Sequence, residues 1–436
     1  MKLMRFVKWF YPGMRVKRWL LMAIGGVLSF GIGSALLPIE GGVLLRLFSL
    51  VTLVLGLVSL VFGVGLMVRS LLEAVSPTHM QDLVDVVFQQ RYLEKGPKIV
   101  VIGGGTGLST LLHGLKQYTT NLTAIVTVAD DGGSSGLLRQ QFDMLPPGDI
   151  RNCLVALADT EPLMQRLFQY RFAEDSALQG HNFGNLFITA MTKITGDFER
   201  AVRASSKVLA IRGRVVPSTN MKVRLVAEHA DGSVTLGETK ISQSSIPIRR
   251  IYLEPSHCQP TGDAIAAIEE ANAIVLGPGS LFTSIVPNLL VEKMVDAIVT
   301  SKALKIYICN VMTQSRETHG YKASDHVRSL VAHSSPGILQ LCIVNTEPVP
   351  SSLLEKYRQE DAFPVEPDIE TIRSLGYQVF AENIISTENY VRHDSDRVAK
   401  IIIQLVVGSR GRAPASRPSP EVEGSPTPHE KQGSHA

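Results

Sequence analysis

The chain has 436 residues, of which 45% are hydrophobic and 19% are charged, and its formal net charge is +3. This composition excludes an intrinsically disordered protein, which needs low hydrophobicity and high net charge. The lack of any C-x-x-C pair excludes a zinc ribbon, a thioredoxin-type motif and a disulfide scaffold, and it predicts reduced cytosolic thiols at Cys153, Cys258, Cys309 and Cys342.

Two long uncharged segments near the N-terminus predict a membrane hairpin. Residues 19–37 and 47–68 carry no charge. As helices they would be about 28 Å and about 33 Å long, close to the ~30 Å hydrocarbon core of a bilayer. The turn between them, residues 38–46, contains one proline and two glycines. Small residues in the first segment would let the two helices approach closely: Gly25, Gly26, Ser29, Gly31, Gly33 and Ser34.

The distribution of charge predicts how this hairpin is oriented. Residues 1–69 contain eight Lys or Arg residues and one acid, whereas acids slightly outnumber basic residues in the rest of the chain. The positive-inside rule therefore places both termini and the main domain in the cytoplasm. A cleaved signal peptide is the alternative, but its apolar core is usually about 7–15 residues long and no second span follows it. The mildly acidic body argues against a nucleic-acid partner, because such a partner requires a basic patch.

The chain divides into five predicted segments. A basic N-terminus (1–18) precedes the transmembrane hairpin (19–69), and a juxtamembrane helical linker follows (70–96). The alternative for this linker is the edge of the next domain. An α/β domain spans residues 97–408. The last segment, 409–436, is rich in proline and serine and too poor in apolar residues to fold, so it is predicted to be a disordered tail.

Short runs rich in Val and Ile predict the sheet of the main domain. They lead into glycine-rich turns and helical patterns, and they cover residues 99–102, 122–128, 273–276, 306–308 and 341–344. Buried runs that alternate with helices are typical of a doubly wound, Rossmann-like and mostly parallel sheet. Residues 222–252 differ, because an Asp-Gly pair between two strand-like runs predicts a β-hairpin insertion.

A glycine-rich turn joins the first strand to a helix: Gly103, Gly104, Gly105, Thr106 and Gly107. Glycine lets backbone N–H groups approach a ligand, and a helix N-terminus favours an anion, so a phosphate or pyrophosphate is the expected ligand. Leu108 stands where the dinucleotide fingerprint has its third glycine, and the P-loop motif is absent. A tight turn without a ligand is the alternative.

Acids and hydroxyl groups follow the second strand: Asp130, Asp131, Gly132, Gly133, Ser134 and Ser135. These acids would accept hydrogen bonds from a ribose or hold Mg²⁺. The alternative is a purely structural turn, because Asp and Gly are residues that turns favour. In the next segment, PPGDIRN, Asp149 or Asn152 would cap a helix and Arg151 would pair with a phosphate.

Three later segments complete the predicted ligand site with amide and hydroxyl groups: Asn182 and Asn185, then Gly277, Gly279 and Ser280, then Asn310. The glycines at 277–279 repeat the strand-to-helix turn that accepts anions. His181 has no Ser or Cys partner at a spacing that indicates a catalytic triad, so no triad is predicted and no catalytic residue is assigned.

These motifs resemble those of the bacterial gluconeogenesis factor family, which is related to the 2-phospho-L-lactate transferases. The matching stretches follow one another in family order between residues 97 and 405: VVIGGGTGLSTLLHGLK, ADDGGSSGLLR, PPGDIRNCL, GHNFGNLFI, LGPGSLFTSIVPNLLV and CNVMTQSRET. The resemblance implies a doubly wound α/β fold and a crevice for a nucleotide sugar of the UDP-N-acetylglucosamine type. For the related transferases it also implies Mg²⁺, which Asp131 (or Asp130) and Asp149 would hold here.

The function implied by the resemblance is regulation of cell morphogenesis and wall-precursor metabolism by a nucleotide-sugar-binding protein. The hairpin is an addition to the commoner soluble pattern, and it would tether the main domain to the inner membrane of a bacterium. We expect a homo-oligomer, and regulation implies a protein partner. The alternative is a Mg²⁺-dependent transferase of the 2-phospho-L-lactate transferase type. A nicotinamide-dependent oxidoreductase is disfavoured by the missing glycine.

Overall fold

The chain was analysed as a computed structural model that describes residues 16–39, 42–75, 92–159, 162–173, 177–387 and 390–409. It divides into two units, residues 1–91 and residues 92–436. Most of the predicted basic N-terminus, most of the predicted linker and nearly all of the predicted tail lie outside the described residues.

Two long helices form the described part of the first unit: α1 (Val16–Leu36) and α2 (Val43–Val75). Residues 18–36 and 43–70 are candidate membrane spans by length and composition alone. The turn between the helices is shorter than predicted, because α2 begins at Val43 and includes Arg46. Helix α2 also continues into the first residues of the predicted linker, since the apolar, helix-forming sequence runs on to Val75.

Glycines allow the backbones of α1 and α2 to touch. A Cβ atom added at Gly26 would lie 2.5 Å from the Leu60 nitrogen, and one at Gly33 would lie 2.6 Å from the Leu53 nitrogen. Gly25 faces open space. The predicted close approach is therefore confirmed at two of the small residues of α1. These two glycines are seven residues apart, the heptad spacing that places residues on the same face of a paired helix.

The twelve strands of the described residues all lie in the second unit: β1 (Ile99–Gly103), β2 (Leu122–Val126), β3 (Arg214–Pro217), β4 (Arg224–His229), β5 (Val234–Leu236), β6 (Ile248–Glu254), β7 (Ala273–Leu276), β8 (Leu304–Ile308), β9 (Leu341–Asn345), β10 (Gln378–Glu382), β11 (Ile385–Ser386) and β12 (Arg392–His393). Seven of them form a parallel sheet in the order β10-β9-β8-β7-β1-β2-β3. The predicted doubly wound α/β fold is confirmed.

Helices connect and cover these strands: α3 (Gly105–Leu115), α4 (Gly133–Phe142), α5 (Gly148–Leu157), α6 (Pro162–Gln169), α7 (Phe183–Thr195), α8 (Phe198–Val208), α9 (Glu238–Gln243), α10 (Gly262–Glu270), α11 (Val286–Leu289), α12 (Met294–Thr300), α13 (Ala323–Ala332), α14 (Ser351–Gln359), α15 (Ile369–Ser374) and α16 (Ser395–Ser409). A π-helix, Leu281–Ile285, precedes α11, and a 3₁₀ turn, Pro336–Ile338, precedes β9. Strands β1, β2 and β7 are buried along their whole length, which explains their uninterrupted apolar sequences.

The order of the strands fixes where a ligand site can form. From β1 the chain proceeds to β2 and β3 on one side, and it then crosses back to β7 and continues to β10 on the other side. The carboxyl ends of β1 and β7 therefore flank the point at which the winding direction changes. Doubly wound sheets bind their ligands in the crevice outside such a point.

The predicted β-hairpin insertion is confirmed in β4 and β5, which pair antiparallel. Its turn contains Asp231, whose carboxylate accepts a hydrogen bond of 2.9 Å from the Ser233 N–H, and Gly232 at φ +84°. A third strand, β6, extends the hairpin to a three-stranded sheet. The five predicted runs correspond to β1, β2, β7, β8 and β9, whereas the edge strands β3 and β10 are less apolar and had no such pattern.

We expect Gly26→Leu to separate α1 from α2 by about 2 Å or more, because a side chain cannot fit against the backbone of the facing helix. The measurement is the distance between spin labels at Leu28 and Leu57 of the full chain in detergent, determined by pulsed electron paramagnetic resonance. Gly31→Leu is the matched control, since nothing lies within 4 Å of its Cβ position. An unchanged distance in Gly26→Leu would contradict the glycine contact.

Candidate functional site

A crevice with a volume of about 260 Å³ lies at the carboxyl ends of β1 and β7. Its wall consists of the following residues: Gly104, Gly105, Thr106, Gly107, Thr127, Asp130, Asp149, Glu238, Gly279, Ser280, Thr283 and Ser284. The crevice therefore combines two predicted glycine turns, two predicted acids and one acid from the insertion.

The first turn places the N-terminus of a helix at the crevice. Helix α3 begins at Gly105, whose φ is +66°, and the Asp149 carboxylate accepts a hydrogen bond from the Gly105 N–H. The turn packs directly on the turn after β7, because a Cβ atom at Gly107 would lie 2.7 Å from the Pro278 carbonyl oxygen. Asn288 is buried beneath it and donates a hydrogen bond of 3.1 Å to the carbonyl of Gly103. This geometry presents the positive end of a helix dipole to an anion, with the Asp149 carboxylate on one of its amides.

The second turn, after β7, is held by Asn310. The side-chain amide of Asn310 donates to the Gly279 carbonyl at 2.9 Å, and its oxygen accepts from the Gly279 N–H at 3.4 Å. Gly277 and Gly279 have φ of +78° and +154°, which only glycine adopts at low cost. Asn310, predicted to contact the ligand, thus positions the turn that carries Ser280.

The adjacent acids Asp130 and Asp131 have different surroundings. The carboxylate of Asp131 accepts hydrogen bonds from the backbone and the hydroxyl of Thr239 in the insertion, at 2.9 and 2.7 Å. The carboxylate of Asp130 faces the crevice and accepts a hydrogen bond of 2.9 Å from the Gly132 N–H, and Ser135 also hydrogen-bonds to it. Of the two alternatives for a metal ligand beside Asp149, the structure brings Asp130 into the crevice and commits Asp131 to the insertion.

The carboxyl groups of the crevice repel one another. Burial raises the pKa of Asp149 to about 6, and the neighbouring Asp130 carboxylate adds to the increase. Burial, followed by the charges of Asp130 and Asp131, raises the pKa of Glu238 to about 7. Burial also raises the pKa of Asp130. A cation that approaches these carboxyl groups stabilises their ionised form and so lowers the free energy of the site.

The donor set of the crevice fits Mg²⁺ bound together with a phosphate. Among the described residues, no three Asp, Glu, His or Cys side chains form a metal-binding group. Magnesium commonly uses one or two carboxylates and takes its remaining ligands from water and substrate phosphate. Asp130 and Asp149 can supply the carboxylates, and the glycine turns can hold the phosphate.

The remaining predicted polar residues form a buried network beside the crevice. Asn182 caps α7 by accepting a hydrogen bond from the Asn185 N–H at 3.2 Å, and Asn185 donates to the hydroxyl of Ser134 at 3.2 Å. Arg151 donates to Asn185 at 3.1 Å and to Asn152 at 2.6 Å. Because these groups hydrogen-bond to one another and none lines the cavity, the structure gives them a supporting position, and their contact with a ligand stays a prediction. The Arg151 Nε is buried and has no hydrogen-bond partner among the described residues.

Glu238 is the principal residue that sequence reasoning missed. It lies at the start of α9 in the insertion, about 100 positions from the acids that it approaches. No local motif marks it, and only the bond between Asp131 and Thr239 brings it to the crevice. Thr283, Ser284 and Glu317 were missed as well, although they lie in stretches that carry the family resemblance.

Comparison with known proteins identifies the family. The model of the 2-phospho-L-lactate transferase CofD family matches residues 99–385. The gluconeogenesis factor of Bacillus subtilis (strain 168) is 49% identical over 311 residues, which cover 71% of this chain and 98% of that protein. The chain belongs to the gluconeogenesis factor family. A crystal structure of a family member from Bacillus halodurans, described as a protein of the UPF0052 family, has 46% identity and a TM-score of 0.69.

Members of the family differ in length. The match to the Bacillus halodurans crystal structure covers 71% of this chain and 99% of that chain, so that chain corresponds to the main domain without the N-terminal helices. A relative from Nostoc sp. (strain PCC 7120) is 46% identical over 426 residues, which cover 93% of each chain. Because so little of this chain lies outside the match, the match must include at least part of α2. The family therefore also has members with an N-terminal segment before the main domain.

We expect Glu238→Gln to stabilise the main domain at pH 8 by about 2 kcal/mol, a value reduced for partial exposure. The pKa of Glu238 is about 7 in the folded chain and near 4.5 ordinarily, so the folded state binds more protons between these values. Wild-type stability therefore falls as the pH rises through this window, and the variant avoids that loss.

The measurement is urea unfolding of the main domain, followed by circular dichroism at pH 4.5 and pH 8. Glu269→Gln, at an exposed position of α10, is the matched control. Equal stability of wild type and Glu238→Gln at pH 8 would show that Glu238 is not destabilised by its acidic neighbours.

Proposed function

We propose that the crevice binds a nucleotide sugar of the UDP-N-acetylglucosamine type. The diphosphate would lie on the turns at Gly104–Gly107 and Gly279–Ser280, and Mg²⁺ would lie between it and the carboxylates of Asp130 and Asp149. The observation that carries this proposal is the meeting of two glycine turns with two partly buried acids at the switch point of the sheet. The glycine turns attract a phosphate, whereas the acids repel a phosphate that carries no cation. A phosphate bound together with Mg²⁺ is therefore compatible with both.

This binding would serve regulation of wall-precursor metabolism and cell shape at the inner membrane. Membership of the gluconeogenesis factor family supports a metabolic role, and the two candidate spans support a membrane tether. The cytoplasmic position of both termini, the homo-oligomer and the protein partner stay predictions.

A Mg²⁺-dependent transferase is the second candidate. It is favoured by the match to the 2-phospho-L-lactate transferase family and by two acids of the crevice, Asp130 in the turn after β2 and Asp149 in the first turn of α5. In such an enzyme the same carboxylates would hold the cation that neutralises the transferred phosphate group.

Asp149→Asn is expected to abolish the Mg²⁺ dependence of nucleotide-sugar binding, because it removes one of the two crevice carboxylates. The measurement is calorimetric titration of the full chain in detergent with UDP-N-acetylglucosamine, with and without Mg²⁺. We expect Mg²⁺ to tighten wild-type binding by about tenfold or more, the effect of roughly 1.4 kcal/mol. Asp296→Asn, on the exposed face of α12, should behave as wild type.

The two candidate functions give different products in the same samples. Water is the acceptor that these samples offer for a transferred group. A Mg²⁺-dependent hydrolysis product that disappears in Asp149→Asn identifies a transferase-type activity, whereas a regulatory binding protein returns the nucleotide sugar unchanged. A wild-type chain that binds no nucleotide sugar under either condition would refute the proposed ligand.

A further inference from the structure

A second cavity, with a volume of about 420 Å³, adjoins the crevice. Ser280 belongs to the walls of both, so the two spaces are neighbours across one side chain. The other walls of this second cavity come from the loop of residues 312–317, from Ser242 in α9 and from Tyr357 in α14. A ligand anchored in the crevice therefore has space to continue past Ser280.

Three hydrogen bonds fix the polar side chains between crevice and cavity, the third running from the hydroxyl of Ser242 to Glu317 Oε1 at 3.4 Å. Gln314 donates from its amide nitrogen to the hydroxyl of Ser280 at 2.6 Å. Thr283, which lines the crevice, donates from its hydroxyl to one carboxylate oxygen of Glu317 at 3.1 Å. Gln314 and Glu317 are thus held by crevice residues while they line the second cavity.

Each of these two side chains has one buried oxygen without a hydrogen-bond partner among the described residues, namely Gln314 Oε1 and Glu317 Oε2. Only 7% of the surface of Glu317 is exposed. Since more than about 90% of buried polar groups in proteins are hydrogen-bonded, two such oxygens in the wall of one cavity indicate a missing donor. A ligand with hydroxyl groups supplies such donors.

We propose that the second cavity binds the sugar of the nucleotide sugar, with ring hydroxyls donating to Gln314 Oε1 and Glu317 Oε2. The inference rests on the proposed function of the crevice, and it adds the residues that distinguish a nucleotide sugar from the nucleotide alone. The cavity wall also contains Arg316 and a second acid, Glu360, so groups of both charges lie beside the space that the sugar would occupy.

The ionisation of Glu317 is consistent with this role. Burial raises the pKa of Glu317 to about 7, and the hydrogen bond from Thr283 partly opposes this increase. Near neutral pH a fraction of the carboxyl groups is therefore protonated. A protonated carboxyl group can both donate a hydrogen bond to a sugar hydroxyl and accept one from it, whereas an ionised carboxylate can only accept.

The experiment compares UDP with UDP-N-acetylglucosamine in calorimetric titrations of the full chain. Gln314→Met, which keeps the length of the side chain, is expected to weaken UDP-N-acetylglucosamine binding by about fivefold or more, the effect of one lost hydrogen bond. Because Gln314 also donates to Ser280 of the crevice, the affinity of the variant for UDP should fall by a smaller factor, about twofold, so that the preference for UDP-N-acetylglucosamine over UDP decreases. Gln378→Met, at an exposed position of β10, is the matched control and should change neither affinity.

Glu317 supplies an independent pair of variants. Glu317→Gln retains a donor and an acceptor and should keep the preference for the sugar nucleotide, whereas Glu317→Met should lose it. Thermal unfolding of each variant confirms that it is folded before titration. Equal weakening of both ligands in Gln314→Met, or no weakening of either, would overturn the sugar cavity while the crevice proposal stands. A wild-type chain that binds neither ligand overturns the crevice proposal itself.

Discussion

The partial burial of carboxyl groups that lie close together in one crevice is the constraint on which the site depends. Asp130 follows β2 and Asp149 lies in the first turn of α5, and both line the crevice. Their negative charges lie beside helix N-termini that attract anions. A cation bound between these carboxylates and a phosphate satisfies both requirements, so the electrostatics of the crevice and its glycine turns have one common explanation.

The antiparallel insertion is part of the same arrangement. Thr239 of α9 donates two hydrogen bonds to Asp131, and this contact joins the insertion to the turn after β2. Glu238 enters the crevice as a consequence, and Ser242 of the same helix reaches the neighbouring cavity. The insertion therefore contributes to both the phosphate region and the proposed sugar region, which a simple doubly wound domain would leave open on that side.

The sequence predicts those parts of the fold and site that local patterns encode. Buried strands such as β1 and glycine turns such as Gly103–Gly107 have a short-range signature, because strand burial and turn conformation constrain adjacent residues. The edge strand β10 lacks it because it is partly exposed and tolerates polar residues, and β3 lacks it because its apolar run is only the two valines between Arg214 and Pro217. Glu238 could not be predicted, because its approach to Asp149 depends on a contact between distant segments. The choice between Asp130 and Asp131 likewise required the position of Thr239.

Anomalous diffraction tests the central claim most directly. The main domain would be crystallised with Mn²⁺ in place of Mg²⁺ and with UDP-N-acetylglucosamine, as the crystal structure of a family member of similar length shows to be practicable. The account predicts one anomalous peak bonded to the carboxylates of Asp130 and Asp149, with the diphosphate on the glycine turns. A nucleotide sugar bound in the crevice with no metal at these two carboxylates, or a metal bound elsewhere, would contradict it.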